Sequence, residues 1–343
     1  GHMDTSYRGD EEYLSGPGYK PKGLREGDWL YGLGVKNMKC GLAAFLTAIR
    51  AIVESGVERR GDIVLAAVVG EVETAPVDEF QGVEYSGYGV GTKHLVAHGQ
   101  VADYCILGEP TGLQLGVGHM GSTWVKITTR GTVSHTGYIH RSRPVSAIDK
   151  AVKIYQAIKE WIPSYQERHE YLGERPNVNI AAMRGGWPWR AARNPIECSL
   201  YIDVRTLHDQ NSVDIKRELE EVIEGLRSTD EDLEAEVELY VTNPGVALDP
   251  SSPVAGAVSA AHEMLTGAPP ARVYKHTGHD ATHLEKGGIT TIVYGPGGRS
   301  QEGGVWGWSK DIGEHLHVDE FAACARVYAA AAVEICGQGT VEV

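Results

Sequence analysis

Ala102-Asp103-Tyr104-Cys105-Ile106-Leu107-Gly108-Glu109-Pro110-Thr111 is an apolar run that stops at an acidic turn. A continuous apolar run with β-branched or aromatic residues reads as a strand buried on both faces, as in a parallel sheet covered by helices. The same design stands upstream, where Asp62-Ile63-Val64-Leu65-Ala66-Ala67-Val68-Val69 runs into Gly70-Glu71-Val72-Glu73. Between the two, residues 89–97 read as a helix. Before them, Leu42, Phe45, Leu46, Ile49, Ile52 and Val53 recur at helical spacing and predict a helix over 42–54, with Gly56 as its stop. Residues 29–34 read as a short strand entering a glycine turn, and residues 1–28 as a loop. Strand, helix, strand, helix, strand predicts an α/β domain with a parallel sheet. In such sheets ligands bind beyond the carboxyl ends of the strands, which is where Glu71, Glu73 and Glu109 stand.

The pattern changes near Gly118. Trp124-Val125-Lys126-Ile127-Thr128-Thr129 alternates, as a strand with one solvated face does. A helix over 146–161, strands over 177–183 and 197–205, a helix over 213–226 and a strand over 234–241 follow. Strand–helix–strand–strand–helix–strand is the split βαβ, ferredoxin-like order. After Pro250 the α/β character returns, with helices predicted over 253–266 and 318–336 and a strand over 290–294. The simplest plan is an α/β domain, 1–117 and 245–343, interrupted by an inserted α+β domain, 118–244.

At 343 residues the chain has the length of about two domains. Its net charge of −14 argues against a nucleic-acid or anionic-membrane surface, which needs a basic face. No apolar run approaches the ~20 residues that span a bilayer. Five scattered cysteines form no CxxC pair, so neither a disulfide framework nor a cysteine zinc site is expected, and a reducing cytoplasm fits. Cys40, at a helix start, is read as a packing residue. GxSxG and GxxxxGK[ST] are absent, and Gly295-Pro296-Gly297-Gly298 lacks the GxGxxG spacing, which argues against a serine hydrolase, a phosphate loop and a dinucleotide turn there.

Each acidic cluster has a bland reading. Acidic residues often begin loops, and Pro110 favours a turn. Gly1-His2-Met3 matches the remnant that tag removal leaves. Histidines crowd the C-terminal part: His276, His279, His283, His315 and His317. His279 and His283 have i,i+4 spacing, but HExxH is missing, so a self-contained zinc site there is disfavoured.

Taken in order, the motifs resemble the zinc-dependent aminoacylase, acetylornithine deacetylase and succinyl-diaminopimelate desuccinylase family of peptidases and amidohydrolases. The resemblance runs through Gly1-His2-Met3-Asp4-Thr5, Tyr31 to Ala44, Gly70-Glu71-Val72-Glu73, Gly108-Glu109-Pro110-Thr111 and Arg130 to Thr136. It closes with Gly278-His279-Asp280-Ala281, Tyr294-Gly295-Pro296-Gly297 and His317-Val318-Asp319-Glu320-Phe321. It implies a zinc-exopeptidase-like catalytic domain, with a mixed sheet between helices, and a lid domain that often dimerises. By position, His2 binds a metal, Asp4 orients it and Glu109 completes that metal's protein shell. Glu71 is the general base, Glu73 a ligand of a second metal, and His135 of the lid polarises the substrate carbonyl. Continuation into Asp4-Thr5 favours His2 as native.

Three departures fall on the second metal or the bridge. Asn37 stands where the family has a bridging Asp, and a neutral amide oxygen bridges two cations poorly. Val72 interrupts the family's paired Glu-Glu. Leu316 takes the place of the family's last histidine, with His315 and His317 on either side as candidate ligands. One or two Zn²⁺ ions are expected, with Co²⁺ or Mn²⁺ as alternatives. The expected activity is hydrolysis of an amide bond in an N-acyl amino acid or small peptide-like molecule. The alternative is an impaired relative that binds a small molecule or a partner. A homodimer through the lid is expected, and part of the catalytic sheet before the ligand strand is expected to be missing from this chain.

Overall fold

A computed structural model of the protein describes residues 1–301 and 309–337. The chain begins with two short strands, β1 (Leu24–Glu26) and β2 (Trp29–Tyr31), and then α1 (Cys40–Ser55), α2 (Val90–Ala97), β3 (Tyr104–Leu107) and β4 (Leu115–His119). Next come β5 (Gly121–Arg130), α3 (Ile139–Ser142), α4 (Ala147–Glu167), β6 (Val178–Gly185), β7 (Glu197–Thr206), α5 (Ser212–Arg227) and β8 (Ala235–Asn243). The last third holds β9 (Val246–Ala247), α6 (Pro253–Thr266), β10 (Arg272–Lys275), α7 (Ala281–Lys286), β11 (Thr290–Val293), β12 (His315–His317) and α8 (Val318–Gly337).

One sheet has the order β10-β4-β11-β3, with β9 on β4. β11 runs parallel to β3 and β10 parallel to β4, but β4 opposes β11, so the sheet is mixed and not purely parallel. Its core is built by Leu107, Leu115, Val117, Ile292 and Val293 from the strands and by Ala44, Ala48, Val254, Val258, Val327 and Tyr328 from α1, α6 and α8. The small residues of α1 let helix and strand approach closely. A Cβ on Gly41 would lie 2.2 Å from the Gly108 carbonyl oxygen. Cys40 is buried there, donating to the Lys36 carbonyl oxygen at 3.1 Å, and burial pushes its thiol up, so it packs and stays a thiol.

A second sheet has the antiparallel order β6-β7-β5-β8. Numbered within the segment β5-α4-β6-β7-α5-β8, that is the 4-1-3-2 arrangement of the split βαβ unit. One face carries α4 and α5. Ala147, Ala151, Ile154, Ile158, Trp161 and Tyr165 of α4 and Ile215, Leu219 and Ile223 of α5 pack on Val125, Ile127, Leu200, Ile202 and Val204. α4 runs past its predicted end at Trp161 because Tyr165 is also buried, stacked on Trp161 at 4.7 Å, while Pro163 sits on the exposed side.

The reading of residues 63–69 as a strand buried on both faces needs correction. Val64 and Val69 are 68% and 55% exposed. Among the described residues the run pairs with residues 1–3 on one side, through Gly1 N to Ala66 O, Val68 N to Gly1 O and Met3 N to Val68 O, and on the other Val69 O accepts from Gly91 N. His2 and Val68 form a single parallel bridge.

Candidate metal centre

That bridge places His2 in the interior, fully buried. Its Nδ1 donates to the Asp4 carbonyl oxygen at 3.1 Å, with Asp4 Oδ1 at 3.4 Å. A carbonyl only accepts, so the proton lies on Nδ1 and Nε2 is turned to the remaining neighbours. Those are Glu71 Oε2 at 3.4 Å and Glu109 Oε1 at 3.5 Å. Asp4 also acts through its other oxygen, because Oδ2 accepts the Val72 N–H at 2.9 Å and so fixes the turn after Glu71.

Burial works to lower the His2 pKa. The Asp4 hydrogen bond and the charges of Glu109 and Glu71 outweigh it and hold the imidazole up at about 10. Burial pushes Glu71 well above the usual carboxylate range, with Glu109 adding to it and His2 opposing. Burial raises Glu109 too, against the pull of His2. Two buried carboxylates and an imidazole facing one point are costly unless a cation joins them. Among the described residues this is the one group of three or more acidic, histidine or cysteine side chains able to hold a metal ion. His2 Nε2, Glu109 Oε1 and Asn37 Oδ1 are also buried without a hydrogen-bond partner. The residues fit a divalent metal, which His2 and Glu109 would hold with Glu71 beside it.

The group opens into a cavity of about 370 Å³ that Lys36, Asn37, Glu73, Lys275 and Glu314 also line. The second turn residue, Glu73, points elsewhere than Glu71. Arg205 of β7 donates to both its oxygens, at 2.5 and 2.7 Å, and its Nε donates to Asp203 at 2.9 Å. The loop after it stays on the same sheet face. Asp78 pairs with Lys126 at 2.6 Å and with the Tyr201 hydroxyl, and Glu79 pairs with Arg184, which also covers Phe80.

Other candidates lie outside that group. His315 is buried, its Nδ1 donating to the Gly313 carbonyl oxygen and its Nε2 accepting from Gln301 N. His317 Nδ1 meets Arg299 and Asp319 N. His135 lies in the turn after β5, its Nδ1 accepting from Gly137 N, and it does not line the cavity. His279 precedes α7 and His283 lies within it, so their spacing does not put them on one helix face. His283 instead reaches the Tyr88 carbonyl oxygen, and His279 packs on His119 with ring centroids 4.0 Å apart.

Several site residues escaped the sequence reading. Glu314 accepts from the backbone N–H groups of Gly34, Lys36 and Asn37 at 2.9–3.1 Å and so shapes the turn that carries Asn37. Lys275 is buried and donates to the Pro110 carbonyl oxygen at 2.6 Å; burial pushes its ammonium down to about 8, against Glu109. Buried Asp280 accepts from Thr92 at 2.6 Å. Arg205 left a signal: in Asp203-Val204-Arg205 the core residue is the middle one, so two charged neighbours share the face toward the cavity.

An α/β layer that presents histidine and two carboxylates at its strand ends, beneath a ferredoxin-like layer, defines the metal-dependent amide-bond hydrolases. The chain belongs to peptidase family M20/M25/M40, whose profile matches residues 1–334. It is 26% identical over 325 residues to the N-formyl-4-amino-5-aminomethyl-2-methylpyrimidine deformylase of Bacillus subtilis, covering 87% of this chain and 71% of that protein. It is 28% identical over 279 residues to the succinyl-diaminopimelate desuccinylase of Nitrosomonas eutropha, covering 79% and 67%. A tripeptidase from Staphylococcus aureus shares the fold, with a TM-score of 0.69 at 20% identity over 92% of this chain and 77% of that one.

Proposed function

We propose that the protein hydrolyses an amide bond of an N-acyl amino acid or small peptide-like molecule, with Zn²⁺ held by His2 and Glu109 and with Glu71 as general base. The observation that carries this is the convergence of His2 Nε2, Glu71 Oε2 and Glu109 Oε1 within 4.8 Å in a buried place that opens to a cavity. The bound ion supplies Lewis acidity to the carbonyl and acidifies water. Glu71 Oε2 takes the proton of the attacking water and returns it to the leaving nitrogen. Asp4 keeps the His2 ring turned toward the ion. The relatives' printed activities, a deformylase and a desuccinylase, favour a small acyl group.

Residues 118–244 act as the lid in this reading, bringing His135 to the substrate carbonyl and forming a homodimer. Ile148, Val152 and Tyr155 support the dimer, since they leave a part-exposed apolar stripe at helical spacing on α4. Among the described residues no helix is long and apolar enough to cross a membrane, and the reading places the protein in the cytoplasm.

The test is turnover of N-formyl, N-acetyl and N-succinyl amino acids by the Zn²⁺-loaded chain, with Glu71→Gln beside it. Loss of a general base costs about 10²–10⁴ in kcat. Equal turnover in Glu71→Gln, or none in either protein with Zn²⁺, Mn²⁺ or Co²⁺, rules the reading out.

A further inference from the structure

The cavity is lined by four carboxylates, Glu71, Glu73, Glu109 and Glu314, in two different states. Glu71 and Glu109 turn an oxygen toward His2 Nε2. Glu73 has both oxygens on the Arg205 guanidinium. Glu314 has both oxygens on backbone N–H groups of the turn that carries Asn37. The same wall holds two buried ammonium side chains, Lys36 and Lys275. Asn37 beside them offers a neutral amide oxygen.

We propose that the cavity takes a single divalent cation, at His2 and Glu109 beside Glu71, and that Lys36 and Lys275 supply the positive charge that would otherwise draw in a second. This rests on the metal-dependent reading above. Two carboxylates and a neutral imidazole balance one dication. Among the described residues that line the cavity, a second would have an amide oxygen and two carboxylates already held by donors, and it would face two ammonium charges in a weakly screened interior. The lysines therefore set the metal count by repulsion, and Arg205 sets it by holding Glu73 away.

The experiment is metal counting on the full chain. The protein is stripped with a chelator and titrated with Zn²⁺ by calorimetry, and bound zinc per chain is then measured by elemental analysis. One equivalent is expected in the unaltered chain, and its loss in His2→Ala. The double variant Asn37→Asp with Lys275→Met, checked for fold by circular dichroism, is expected to take up a second equivalent. Asn37→Asp with Lys275→Gln serves if the first is unfolded. Two equivalents in the unaltered chain, with Kd values within about tenfold of each other, overturn the proposal. So does a folded double variant that stays at one. Two equivalents with turnover would leave the hydrolase reading standing, whereas no bound metal and no turnover would remove that reading and this one together.

Discussion

The Arg205 guanidinium and the Glu73 carboxylate meet through two parallel hydrogen bonds, 2.5 and 2.7 Å long, that tie β7 to the turn holding Glu71. Only Val72 separates Glu73 from Glu71, so the four-stranded layer and the proposed general base share one short piece of backbone. Arg205 is thus a positioning residue. A lysine cannot reproduce the two-pronged contact. Arg205→Lys is expected to lower kcat about tenfold, and Arg205→Met to cost about 2 kcal/mol in urea unfolding, the scale of hydrogen bonds to a charged group. A kcat equal to that of the unaltered chain in both variants would separate the ion pair from catalysis.

Because the buried ligand group exists only in the folded chain, metal binding adds to folding stability. At one hundred times Kd the gain is about 2.7 kcal/mol. Addition of Zn²⁺ should raise the Tm, a chelator should reverse the shift, and His2→Ala should abolish it. A His2→Ala protein that still gains Tm with Zn²⁺ would place the ion elsewhere.

His119 gives a pH dependence away from the ligands. It is fully buried, its Nδ1 donates to the Met120 carbonyl oxygen, and it packs on His279 with Glu73 and Arg205 nearby. Burial brings its pKa down to about 4 from an ordinary 6.5. Between those values the unfolded chain carries a proton that the folded chain refuses, so stability falls as pH drops from 6.5 toward 4. The scale is ~3 kcal/mol, at 1.36 kcal/mol per pKa unit. Urea midpoints at pH 7 and pH 4.5 should lie closer together in His119→Gln than in the unaltered chain. An unchanged gap would mean that other groups carry the acid sensitivity.

Gly41→Ala tests how closely the ligand loop is held. The added methyl would meet the Gly108 carbonyl oxygen, one residue before Glu109. Overpacking of this kind costs about 1–3 kcal/mol. Here it should also weaken zinc binding, because α1 and the Glu109 turn must part. Calorimetry that finds the affinity intact, with the chain destabilised, would show that the turn moves as a unit.

Most elements were legible from periodicity. The predicted helix over 253–266 is α6, and the alternation at 124–129 lies in β5, because an amphipathic pattern states which face will be buried. β4 and β10 were not foreseen. β4 is Leu115-Gly116-Val117-Gly118-His119, and its glycines hide the strand pattern; they are there because Val293 and Tyr274 pack where a Cβ would be. At the candidate metal centre, the meeting of His2, Glu71 and Glu109 follows from motif order, since each lies beside the end of an apolar segment. The partners that sort the carboxylates into two kinds do not. Arg205 is separated from Glu73 by 132 residues, and Glu314 from Asn37 by 277. No local pattern encodes such a meeting.

Val72 links these observations in a way that can be watched. Its amide hydrogen is bound to Asp4, which also contacts His2, and its flanking side chains face one the His2 group and one the four-stranded layer. Deuterium uptake at that single backbone position therefore reports on two events at once. Loading the ion should slow it from one side, and loosening the four-stranded layer should speed it from the other. One isotopic probe, needing no label or substrate, would register whether the two halves of the molecule move together.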